Sequence, residues 1–257
     1  MRAAKFLVAA ALAGVTAAGM AAPASATVYG VYGDSTQESL ALIRGRGDTA
    51  MKLPDLSAGS LAGVDVLWVL NGSQSEEPAA LSTSASAIAR FVANGGTFAY
   101  HDQDPADAAS VVPGAAGIGF AKALTHDINV RLAGTLLTGG PGGTVGDKTL
   151  DGGNAQAQGF AAVNTLPPGA LAPLSNADPA RAVAFSYALG AGHVYYSAIP
   201  LNFFLSYPTD NMTTVYAPNL VAFLDGGSAG PVSVPEPASL MLLGAGLLGL
   251  GLMREMD

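Results

Sequence analysis

The chain has 257 residues, no Cys, and 19 acidic against 11 basic side chains, for a formal net charge of −8. Without Cys there is neither a disulfide framework nor a thiol nucleophile. The acidic balance argues against a nucleic-acid partner, whose phosphates need clustered Lys and Arg. In sequence order, Arg2 and Lys5 precede an apolar run over residues 6–13, and Ala22-Pro23-Ala24-Ser25-Ala26 ends in a small-x-small pattern. These are the three parts of a secretory signal, so signal peptidase is expected to cut after Ala26. The run is too short and too Ala-rich for a membrane helix. Residues 1–26 thus read as a signal peptide and residues 27–230 as one α/β domain.

Thr27-Val28-Tyr29-Gly30-Val31-Tyr32 is β-branched and aromatic and reads as a first strand. A turn at Gly33-Asp34-Ser35 leads to a helix over 37–44, and residues 49–53 form a second strand. Residues 64–70 are almost wholly apolar, as in strands covered on both faces. Asn71-Gly72 ends that strand. Leu81, Ala85, Ile88, Ala89, Phe91 and Val92 recur at helical spacing up to a C-terminal Gly95, and Thr97-Phe98-Ala99-Tyr100 is the next strand. The segment is a βαβ unit with parallel strands and a right-handed crossover. Residues 139–159 are Gly-rich and without apolar period, and read as a long loop. Residues 181–188 and 193–198 are strands joined by Leu189-Gly190-Ala191-Gly192, which predicts an antiparallel hairpin. Residues 215–224 are a last short helix.

Two stretches of this middle carry a resemblance. Leu61-Ala62-Gly63-Val64-Asp65-Val66-Leu67-Trp68-Val69, followed by Phe91-Val92-Ala93-Asn94-Gly95-Gly96-Thr97-Phe98, resembles class I glutamine amidotransferase-like domains, including their trehalose-utilisation (ThuA-like) branch. Tyr187-Ala188-Leu189-Gly190-Ala191-Gly192-His193-Val194-Tyr195-Tyr196 is similar to their late hairpin. The resemblance implies a flavodoxin-like three-layer α/β/α fold, with a mostly parallel sheet and a C-terminal antiparallel hairpin. In that family the turn after the strand carries a Cys between glycines. Here it reads Tyr100-His101-Asp102-Gln103-Asp104, so no thioester can form. The resemblance to ThuA-like domains extends to a His at the strand end, matched by His101.

After the domain comes a Pro-containing linker over 231–237. Val234-Pro235-Glu236-Pro237 is followed by an apolar stretch over 238–253 that holds Gly244, Gly246, Gly249 and Gly251, and then by Arg254. This resembles the PEP-CTERM sorting signal of Gram-negative bacteria. The resemblance implies membrane insertion through the C-terminal helix, processing by an exosortase, and a final place in the periplasm, on the outer surface or in the extracellular matrix. About sixteen apolar residues is marginal against the roughly twenty of a stable span, and the glycines weaken helix further, as suits a temporary anchor. Arg254 fits the positive-inside tendency of the short tail 254–257. The family usually ends in several basic residues, whereas Glu255 and Asp257 follow Arg254 here.

The chemistry-bearing residues of the middle are few. His101, Asp102 and Asp104, with Asp107 near, are expected at the carboxyl end of a parallel strand, where open sheets bind ligands. A His among carboxylates suits a general base or a metal ligand. The same residues equally make a solvated acidic loop in which Asp104 caps a helix starting at Pro105. His126, with Asp127, forms a second pair that either converges on His101 or sits at a helix end. Asp147, Asp151 and Asn154 offer oxygen ligands for Ca²⁺ on the Gly-rich loop, without an EF-hand spacing; no other cofactor is expected. Ser35 or Ser73 would supply the nucleophile of a Ser-His-Asp hydrolase. Tyr187, Tyr195, Tyr196, Phe203, Phe204 and Tyr207 make either a sugar-binding face or core. The leading expectation is a non-catalytic binding or structural module linked to exopolysaccharide. The alternative is a carbohydrate or amide hydrolase built on His101 and its neighbouring carboxylates.

Overall fold

The computed structural model describes residues 26–72, 77–208 and 211–226. The expected signal peptide but for Ala26, Ser73, the linker, the sorting helix and the tail lie outside the described residues. Among the described residues no helix is long and apolar enough to cross a membrane.

The elements run β1 (Val28–Gly33), α1 (Thr36–Gly45), β2 (Thr49–Lys52), β3 (Val66–Asn71), α2 (Glu77–Thr83), α3 (Ala85–Ala93), β4 (Thr97–Asp102) and α4 (Ala108–Val111). They continue as β5 (Phe120–Thr125), β6 (Asn129–Val130), β7 (Gly139–Gly140), β8 (Gly143–Thr144), β9 (Ala157–Ala162) and β10 (Leu171–Ser175). Last come β11 (Arg181–Leu189), β12 (Gly192–Ser197), α5 (Leu201–Ser206), a π-turn (Met212–Tyr216) and α6 (Ala217–Asp225). The main sheet has the order β2-β1-β3-β4-β12-β11-β10-β6, with β9 and then β5 added beside β11. Its first five strands are mutually parallel, in the doubly wound order of flavodoxin-like sheets.

β3 and β4 are the centre of this sheet. They lie side by side and parallel, with Val66 opposite Thr97 and Leu70 opposite His101, so the predicted βαβ unit is present. Every residue of both strands is buried, because α1, α5 and α6 pack together on one face and α2, α3 and α4 on the other. The crossover is two helices rather than one. The chain breaks at Ser84 (φ −99°, ψ 8°), within a Ser/Thr-rich run whose hydroxyls compete for backbone groups; Thr83 Oγ1 donates back to Ala79 O.

The hairpin β11–β12 forms as expected, paired from Ala184–Ser197 to Leu189–Gly192. Its second strand enters the parallel sheet beside β4. Gly192 is required there, since a Cβ would lie 2.2 Å from the carbonyl oxygens of both Val92 and Gly96. The four strands β5, β6, β9 and β10 extend the sheet on its antiparallel side. Phe-Ala-Lys-Ala-Leu-Thr and Ala-Gln-Gly-Phe-Ala-Ala carry little β-branched signal.

The Gly-rich stretch is not an open loop over its whole length. β7 and β8 pair as a short hairpin held by the wholly buried Asn219 of α6. Asn219 Nδ2 donates to Leu137 O (3.2 Å) and Gly143 O (2.8 Å), and its Oδ1 accepts from Gly142 N (2.7 Å). A Cβ on Gly142 would meet Val215 O at 2.4 Å. One amide side chain therefore satisfies three backbone groups, that of the buried Leu137 among them. Asn219→Ala is expected to lower unfolding stability by about 2–4 kcal/mol and to speed limited proteolysis within 136–145. Unchanged urea midpoints would mean that the hairpin holds itself.

Candidate functional site

His101 is a strand residue, not a turn residue, and it faces inward. The single Trp of the protein, Trp68, donates from Nε1 to His101 Nδ1 at 3.1 Å. An indole N–H only donates, so Nδ1 is unprotonated and the ring proton sits on Nε2. From there it points to the Tyr216 hydroxyl at 3.2 Å, which in turn bonds Tyr195 (2.8 Å) and Ser197 (3.3 Å). All five side chains are buried, and Trp68, Tyr195 and Tyr216 surround the imidazole ring. Burial pushes the His101 pKa down to about 3. The expectation of His101 lining an open cleft is corrected: α6 and the π-turn close over it, and both ring nitrogens have core partners.

Asp102 points to the other face of β4. It is buried, with Oδ1 accepting from Asn71 Nδ2 (2.8 Å) and the Asp104 amide (2.9 Å), and Oδ2 accepting from the Tyr196 hydroxyl (3.3 Å). Burial raises its pKa, while the hydrogen bonds from Asn71, Asp104, Tyr196 and Tyr100 oppose the rise. Asp104 is half-buried and forms an ion pair with Lys122 at 3.3 Å. A short 3₁₀ turn does begin at Pro105, but Asp104 makes no side-chain cap to it. His126 is exposed on the rim, its Nδ1 2.8 Å from Asn154 O, and it does not join His101.

The Ca²⁺ candidates are separated in the same way. Asp147 Oδ1 accepts from the Val130 amide (3.0 Å) and Asp151 Oδ1 from the Ile128 amide (2.9 Å), so both pin the 128–130 segment. Among the described residues no group of three or more His, Asp or Glu gathers as metal ligands would. Ser35 follows β1 in a left-handed conformation, φ 50°, which costs a non-Gly residue energy. Its hydroxyl pairs with Asn202 O (2.7 Å) and Ser206 Oγ (2.6 Å), neither of which is a base. Asp34 is exposed and lies against Gly72, in the space a Cβ there would take.

What remains open at the carboxyl edge is a groove. One cavity of about 190 Å³ is lined by Gln103, Asn154, Ala155, Gln158, Pro200 and Phe203. Asn154 also lines its neighbour of about 180 Å³, together with Asp151, Gln156 and Asn211. Of the six aromatics expected either at a sugar face or in the core, Tyr187, Tyr195, Tyr196 and Phe204 are buried. Phe203 is half-buried and Tyr207 is 67 % exposed; their ring centroids are 5.3 Å apart. Gln103 belonged to the candidate His101-Asp102-Gln103-Asp104 segment, whereas Gln156 and Gln158 escaped notice in the sequence, although Asn154-Ala155-Gln156-Ala157-Gln158 sets an amide at every second residue leading into β9. A larger cavity, about 370 Å³, lies at the opposite edge of the sheet between Leu61, Val64, Arg90, Phe91 and Asn94.

Comparison with known proteins matches the PEP-CTERM protein-sorting motif at residues 233–255. The protein carries this motif, which implies export and membrane-linked processing by an exosortase in a Gram-negative bacterium. No curated protein matches it. Among solved structures it is similar to a candidate GMP synthase component from Thermoplasma acidophilum, with 14% identity, TM-score 0.49, and coverage of 78% of this chain and 92% of that one. A cytoplasmic protein of Salmonella typhimurium gives 10% identity, TM-score 0.49, and coverage of 77% and 98%. An exo-β-1,4-mannosidase from an Opitutaceae bacterium gives 13% identity and TM-score 0.45 over 77% of this chain, which spans only 36% of that enzyme.

The buried imidazole makes an acid-stability prediction. The unfolded chain binds a proton on His101 below about pH 6.5, and the folded chain only near pH 3. The unfolded state therefore holds more protons between these values, and stability falls as pH falls through that window, on the order of 1.4 kcal/mol per pH unit. Asp102 acts in the opposite sense above its ordinary 3.8. Comparing the native protein with His101→Leu cancels that contribution. The variant is expected to be about 2 kcal/mol less stable at pH 7, with the gap closing by pH 5 in urea unfolding. Parallel stability curves from pH 7 to 5 would place a proton on His101 in the folded protein.

Proposed function

We propose that this is an exported, envelope-associated surface protein whose α/β domain is a non-catalytic module binding exopolysaccharide along the carboxyl-edge groove. One observation carries the reading. At the strand end where the resembled amidotransferases keep their nucleophile, His101 is closed into the core and Asp102 is buried and fully bonded, while the surface beside them presents amides and aromatic rings. Side-chain amides donate to and accept from sugar hydroxyls at once, and aromatic faces pack against the C–H faces of pyranose rings. Gln158 makes no side-chain hydrogen bond among the described residues, which leaves its amide to a ligand. The absence of Cys and the baseless Ser35 support a binding rather than a hydrolytic role. Signal peptidase and an exosortase would act on the two ends of the protein. The polysaccharide link extends the surface address implied by the sorting motif.

Affinity electrophoresis in gels containing the producing bacterium's own exopolysaccharide tests this. The native protein is expected to be retarded, and Phe203→Ala with Tyr207→Ala to weaken retention about ten-fold, while His101→Leu, scored on folded protein, leaves it unchanged. Equal mobility of native protein in gels with and without polysaccharide would overturn the binding reading. Release of reducing ends or ammonia by native protein, lost in His101→Leu, would favour the hydrolase instead.

A further inference from the structure

The first residue of the expected mature protein is already held by carboxylates. Thr27 N lies 3.2 Å from Asp48 Oδ1, and Thr27 O accepts from the Thr49 amide at 3.0 Å. The next amide, Val28 N, donates to Asp65 Oδ2 at 2.8 Å. Beside them Asp225, the last residue of α6, accepts from the Tyr29 hydroxyl and pairs with Arg46 Nη2 at 3.5 Å. Three carboxylates thus face the start of β1 with one guanidinium among them. That is an excess of negative charge, and the Asp225 carboxyl is held above its ordinary range, first by burial and further by Asp48, against the opposing pull of the Tyr29 hydroxyl, Arg46 and the Thr27 side chain.

We propose that these carboxylates, Asp48 foremost, form a receptor for the α-ammonium group that leader cleavage creates on Thr27, so that removing the leader tightens the finished fold. The inference rests on cleavage after Ala26. Hydrolysis there adds one water across the Ala26–Thr27 bond. Ala26 leaves with a new carboxylate, and Thr27 keeps the nitrogen, which takes protons to become an ammonium ion. No atom of the fold has to move: an amide N–H that donates one hydrogen bond to the Asp48 carboxylate becomes a cation with three donors at the same place, beside Asp48 and within the field of Asp225 and Asp65. An ion pair is added to an amide–carboxylate hydrogen bond, and one of the two excess negative charges is offset. Before cleavage the leader-bearing protein lacks this contribution.

The test uses the processed protein, its first residue identified by intact mass and N-terminal sequencing. Its thermal unfolding is compared with that of the same protein acetylated only at its α-amine, and both are repeated with Asp48→Asn. The free-amine form is expected to melt about 2–4 °C above the acetylated form, and the difference to vanish in Asp48→Asn. Equal melting temperatures would overturn the receptor. If Asp48→Asn does not fold, ¹⁵N titration of Thr27 decides: an α-amine pKa above its ordinary value of about 7.7–8.0 supports the receptor, and an ordinary one overturns it. A first residue other than Thr27 would remove the cleavage reading, and is seen in the mass before any melting curve is recorded.

Discussion

A buried relay of hydrogen bonds, from Trp68 through His101 and Tyr216 to Tyr195, governs the rest of the molecule. It ties three neighbouring strands, β3, β4 and β12, to the turn that opens α6. Each member is amphipathic, and none can be buried there without the next. An unpartnered indole N–H or phenol in the core costs about 1–3 kcal/mol, so the segment that follows the sheet must return and cover this face. The relay also fixes the protonation of its one titratable link. A neutral imidazole that accepts on one nitrogen and donates on the other is a directional connector, and a proton added to it would face the indole N–H head on.

The same constraint moves chemistry away from the strand ends. In an open α/β sheet the carboxyl edge is where side chains reach a ligand. Here the two ionisable residues that end β4 are both absorbed by structure, His101 beneath α6 and Asp102 beneath Tyr196 and Asn71. The open part of this edge is the rim: the loop after β4, the amides before and within β9, and the start of α5. That rim presents amides and the half-buried Phe203 and exposed Tyr207 rings rather than paired acids and bases.

The parallel heart of the fold was legible because its signal is physical and local. Residues 64–70 are apolar without alternation, as only a strand covered on both faces is, and the Gly-Gly pair before Thr97 marks a helix end against a strand start. The antiparallel extension was not legible, since β5 and β9 hold a single β-branched residue, Thr125, and their pairing is decided by neighbours far away in sequence. His101 was read as a strand-end residue, rightly, but strand position does not say which face a side chain takes. The deciding partner, Tyr216, lies 115 residues on. The Gly-rich stretch misled for a similar reason: its hairpin depends on Asn219, an ordinary-looking helix residue. The sorting motif at 233–255 needed no tertiary context at all, because it is a pattern of the linear sequence.

The geometry of the ends bears on how such a module would present its groove. β1 begins beside the place where α6 finishes, with Tyr29 and Asp225 bonded to each other. The backbone therefore enters and leaves the domain at the amino edge of the parallel strands. Gln103, Pro200 and Phe203 stand at the carboxyl edge, one strand length away. The two ends of the described domain and the amide-lined groove thus lie at opposite edges of the sheet. That separation follows from strand direction alone: in a doubly wound sheet whose first strand and last helix are antiparallel neighbours, both termini emerge opposite the edge where ligands bind.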